Sequence, residues 1–79
     1  MELLNIYNAI KDKLKENEFY EFVQVIEEVP LGAATSMEWW GRIYIYLKDI
    51  QKNNNDVFIC IQDLANKYFM YYENFQNCS

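Results

Sequence analysis

Histidine is absent from this 79-residue chain. The side chain that most often moves protons near neutral pH is therefore missing, and with it the commonest metal ligand. Only two cysteines occur, Cys60 and Cys78. On one helix they would stand roughly 27 Å apart, beyond disulfide reach. Without histidine they make no convincing zinc site, so they read as free thiols of a reducing compartment. Two glycines and one proline supply few turn makers. Bases are scarce: 7 against 12 acids, for a net charge of −5. Direct nucleic-acid binding needs a basic surface and is not expected. No apolar run approaches the ~20 residues of a membrane span, and no cationic segment with an apolar stretch behind it follows Met1. The expectation is a soluble, cytoplasmic protein with no membrane partner. No glycine-rich phosphate cradle or metal-spaced motif occurs. Glu27 and Glu28 are adjacent, but consecutive helical positions point roughly 100° apart, so they do not form an acid–base pair. No enzyme activity, metal or cofactor is expected.

What the chain does have is apolar surface: 52% of its residues are hydrophobic and 18% aromatic. That composition excludes disorder and fits one domain over residues 1–79. A core this small cannot hide all of it, which leaves a surplus for a partner or a homodimer. The apolar residues recur in steps of three and four. One stripe is Leu3, Tyr7, Ile10, Leu14; the second is Phe19, Phe22, Ile26, Val29. The third is Trp40, Ile43, Leu47, Ile50, and the fourth Val57, Ile61, Leu64, Tyr68, Tyr71, Phe75. At 3.6 residues per turn each set lies on one helix face.

Four helices follow from these stripes, over about 2–15, 18–29, 36–52 and 56–76. Asn17 can cap the second helix, and Asn55 or Asp56 the fourth. Pro30 and Gly32 end the second. Thr35 and Glu38 have the spacing of a capping box for the third. Gly41 inside the third helix either admits a close helix approach beside Trp40 or is simply tolerated, at roughly 1 kcal/mol of helix propensity. Short links favour antiparallel neighbours, so the predicted fold is all-α, a compact bundle of about four short antiparallel helices. The alternative is an α+β domain with a three-stranded antiparallel sheet. In it Ile43–Leu47 and Val57–Ile61 form a hairpin, because both runs are rich in β-branched and aromatic residues. The fourth stripe continues unbroken across the end of the second run, which favours helices.

Charge is distributed unevenly. Residues 16–38 hold six acids (Glu16, Glu18, Glu21, Glu27, Glu28, Glu38) and no base. The remainder holds six acids and seven bases, or +1. Glu21 and Glu28 share one helix face with Gln24 between them. Such a surface suits a basic protein partner, steering its approach and fixing its register. Trp39 is next to Trp40 and cannot share its core direction, so it should be at a boundary or exposed, where tryptophan can anchor a partner. The candidate partner-binding residues are Glu18, Glu21, Glu27, Glu28, Glu38 and Trp39. Tyr44, Tyr46, Phe69 and Met70 lie partly off the stripes and hint at further contact surface.

The segment from Phe22 to Lys67 resembles small helical bacterial immunity proteins of the MafI-like kind. The matching residues are Glu27-Glu28-Val29-Pro30-Leu31-Gly32-Ala33-Ala34, followed by the helix from Met37. The resemblance implies neutralisation of a toxin domain by binding, and it assigns no binding residues. The function expected is that of a small acidic inhibitor, of immunity or antitoxin type. It would occlude a basic effector such as a nuclease, without catalysis. A phage anti-defence protein blocking a nucleic-acid-binding groove, or a structural or regulatory homo-oligomer, are the alternatives.

Overall fold

A computed structural model of the chain describes residues 2–77, with side chains to Phe75. The elements are α1 (Glu2–Glu16), α2 (Tyr20–Glu28), α3 (Ser36–Asn53) and α4 (Asn55–Asn77). The all-α reading is correct, and no strand occurs among the described residues. The two runs with strand-like composition lie inside α3 and α4. Ile43, Leu47, Ile50 and Ile61 are fully buried there, so tertiary packing overrides β propensity.

α1 packs against α2 and α4, and α4 packs against α1 and α3. Two buried tyrosines show the antiparallel sense. Tyr7 in the first half of α1 donates its hydroxyl to the Ile26 carbonyl near the end of α2, at 3.1 Å. Tyr68, late in α4, donates to the Trp40 carbonyl near the start of α3, at 2.8 Å. A single residue, Asn54, separates α3 from α4.

The stripes of α1 and α3 are buried in full: Leu3, Tyr7, Ile10, Leu14 and Trp40, Ile43, Leu47, Ile50. On α2 the buried pair is Val23 and Ile26, while Phe19, Phe22 and Val29 are half-buried. α4 departs further from expectation. Tyr71 and Phe75 are exposed, and Phe58, Ala65, Phe69 and Tyr72 are buried instead. A helix clasped between α1 and α3 buries a wide arc, about 120° at roughly 100° per residue, and the stripe through Tyr71 follows only its edge.

Caps explain the boundaries. Thr35 Oγ1 accepts the Glu38 amide at 3.2 Å, and the Glu38 carboxylate reaches back to the Ala34 amide at 2.9 Å. The capping box is real, with its return bond one residue earlier than expected. Asn17 does not cap α2: its side chain donates to the Lys13 carbonyl at 2.9 Å and closes α1 instead. Phe19 precedes α2 with no side-chain cap. Gly41 does admit a close approach, since a Cβ there would meet the Tyr72 hydroxyl at 2.9 Å. The disposition expected of Cys78 lies outside the described residues, and Cys60 is half-buried on α4.

Candidate functional site

The acidic segment begins where α1 closes. The Phe19 amide donates to the Leu14 carbonyl at 2.9 Å and the Glu18 amide to the Lys15 carbonyl at 3.0 Å. This pair of bonds is a Schellman closure, whose penultimate residue must be left-handed. That residue is Glu18, with φ of 61°. Glycine takes this conformation without steric penalty, whereas a side chain costs roughly 1 kcal/mol. A carboxylate therefore stands where folding alone would choose glycine.

Every candidate acid is exposed, but they are engaged differently. The carboxylates of Glu18 and Glu21 have no hydrogen-bond or ion-pair partner among the described residues. Glu28 accepts from the Gln24 amide at 3.2 Å, a contact of the helix face they share. Glu27 faces α1 and meets Lys11 at 3.6 Å. Lys11 also lies 4.7 Å over the Tyr7 ring, so it is held against the bundle. Glu16, at the end of α1, lies 3.9 Å from Lys13. Surface pairs of this kind contribute about 1 kcal/mol or less and leave most of the field outside. Glu38 is occupied by its cap. No hydrogen bond or ion pair joins the candidate residues to one another. They form a sequence of exposed charges along the turn, α2 and the start of α3.

Trp39 is half-buried, as its position beside Trp40 requires. Its ring meets Tyr7 edge-on at 5.1 Å and Trp40 at 4.5 Å. It borders a shallow groove of about 450 Å³, lined by Leu4, Ala33, Ala34, Thr35, Ser36 and Trp40 as well. Small side chains in the loop leave this space between the starts of α1 and α3. Leu4 is 42% exposed, so the groove offers an apolar floor to a partner's side chain. Leu4, Ala33 and Ala34 were not legible as site residues. Leu4 sits off the α1 stripe beside Leu3, and that was its only signal.

Four tyrosines, Tyr7, Tyr44, Tyr46 and Tyr68, are pushed toward the neutral form. Tyr44 rises to about 12, chiefly because it donates to Glu73 at 2.6 Å. Burial, then the charge of Asp49, raises Tyr46 to about 12. Burial raises Tyr7 and Tyr68 as well. They serve as hydrogen-bond donors and ring surfaces at neutral pH. The described residues bring together no group of three or more His, Cys, Asp or Glu side chains able to hold a metal ion. Among them, no helix is long and apolar enough to cross a membrane.

Comparison with protein-family models, curated proteins and solved structures gives no match for this chain.

Proposed function

We propose that the protein is a small cytoplasmic binding inhibitor, of immunity or antitoxin type, that covers a basic surface of an effector such as a nuclease. Glu18, Glu21 and Glu28 supply the charge, with Glu27 and Glu38 at its margins and Trp39 as apolar anchor beside its groove. Inhibition is steric and electrostatic, and no bond is made or broken. Kinship with MafI-like immunity proteins belongs to this proposal.

The observation that carries the reading is Glu18. A carboxylate held at φ of 61° is a local cost retained near the start of an acidic run, and such strain gathers at functional positions. Its neighbour Glu21 is exposed and unpaired, so its charge too is available to a partner. Lysine and arginine on the effector would gain from both without first breaking an internal pair.

Affinity capture from the native host provides the test. The expected capture is a basic nuclease or toxin whose activity falls when the purified chain is added. Glu21→Lys with Glu28→Lys should slow its association and weaken the salt dependence. An effector bound equally well by that double variant would contradict the acidic-surface reading. Capture of acidic partners alone would contradict it too.

A further inference from the structure

The outer face of α3 carries a second pattern, which shares only Glu38 with the acidic segment. Glu38, Arg42, Ile45, Asp49 and Lys52 follow one another by four, three, four and three residues, and all are exposed. At roughly 100° per residue they form one strip, opposite the buried face of Trp40, Ile43 and Leu47. Ile45 sits at its centre and is 69% exposed, the highest value among the large hydrophobic residues. It forms a ridge between two shallow grooves of about 330 Å³ each. One is lined by Val29, Tyr46 and Asp49, the other by Met37, Gly41 and Tyr72, and both include Arg42 and Ile45.

We propose that this strip is a self-association surface, on which two copies of the chain pair α3 against α3 in antiparallel sense, about a two-fold axis through Ile45. The strip is self-complementary in that one register. Glu38 and Lys52 lie seven residues either side of Ile45 and near the centre line, so each faces the other's counterpart across the axis. Arg42 and Asp49 lie on one flank, three residues before and four after Ile45. A two-fold axis brings equal flanks together, so Arg42 of one copy meets Asp49 of the second. Ile45 packs on Ile45, with the grooves on either side receiving the neighbouring side chains.

Charge selects a second copy over a basic partner. The strip holds two acids and two bases and is neutral, although the chain carries −5. Two copies can therefore meet here without repulsion, while a basic surface gains nothing. The charged groups keep atoms available for this role. Glu38 uses one oxygen on the Ala34 amide, Asp49 one on the Asn53 side chain, and Arg42 one nitrogen on the Leu31 carbonyl. Lys52 has no ion-pair partner among the described residues. Of the proposed effector contacts only the marginal Glu38 lies on the strip, and Trp39 and the α2 carboxylates lie off it, so the dimer does not depend on the proposed inhibitor role.

A single helix pair with one apolar centre makes a small contact, and the dimer is a weak one. Sedimentation velocity of the full chain, up to about 1 mM, should show a reversible monomer–dimer equilibrium. Ile45→Glu should abolish it with the thermal transition retained, because Ile45 is exposed. Arg42→Asp and Asp49→Arg should each weaken dimerisation about tenfold, and the two together should restore it. With Cys60 and Cys78 replaced by serine, Ile45→Cys should oxidise to a covalent dimer, since helices in contact bring facing positions within disulfide reach. Ile59→Cys, at an exposed position of α4, should not. A chain monomeric throughout would overturn the proposal. So would a dimer indifferent to Ile45→Glu, or a double charge swap that restores nothing.

Discussion

α2 and the α3–α4 hairpin are built on opposite terms. The hairpin is closed by a single residue and shares a long buried seam, with Tyr68 bonded to the Trp40 carbonyl and Tyr44, Phe69 and Tyr72 packed ring against ring. α2 has nine residues, two of them buried, no side-chain cap and acids on its outer surface. Its one buried polar tie is the Tyr7 hydroxyl on the Ile26 carbonyl. The hairpin, with α1, sets the stability of the molecule. α2 is carried on α1 and spends its side chains on charge. The consequence is a division of labour: substitutions in the hairpin should act on folding, and substitutions of α2 carboxylates on association.

The largest effect separating the two regions should come from Leu47→Ala. This side chain is fully buried in α3, and truncation should cost about 2–5 kcal/mol, read by chemical denaturation. Alkali should act on the hairpin next. Tyr44 and Tyr46 are pushed up to about 12 in the folded chain, against roughly 10 for an unfolded tyrosine. Above pH 10 the unfolded state loses protons that the folded state keeps, so stability falls as pH rises. The contribution is fully present below pH 10 and lost by about pH 12. Tyr44→Phe should flatten that part of a stability–pH curve.

Glu18→Gly tests the turn between α1 and α2. Relief of the left-handed strain should raise stability by about 1 kcal/mol. The same substitution removes a proposed contact charge and should weaken effector binding. Loss of stability instead would mean that Glu18 serves the fold, and the asymmetry between the regions would narrow. The smallest change in stability belongs to the pair Glu21→Lys and Glu28→Lys, within about 0.5 kcal/mol for each exposed site.

Sequence periodicity reads the core correctly where the stripe runs within the buried face, as at Leu3 to Leu14 and Trp40 to Ile50. It misplaces Tyr71 and Phe75 because the α4 stripe follows the edge of a wide buried arc, whose position spacing within one helix cannot reveal. Asn17 was assigned to the wrong helix because its amide can satisfy either a preceding carbonyl or a following amide, and tertiary closure chose the former. The acids were legible as a run of composition. Glu18's backbone was not, since glutamate carries no signal for a left-handed turn. Neither was the Trp39 groove, whose walls come from α1, the loop and α3 and meet only in the folded chain.

Residue-resolved native-state amide exchange of the free chain tests the division between the regions most directly. Amides of residues 23–28 should exchange through a sub-global opening, at lower free energy than the buried turns of α3 and α4. Tyr7→Phe should lower the α2 values further while leaving those of the hairpin in place. Exchange of α2, α3 and α4 through one common global opening would contradict the account.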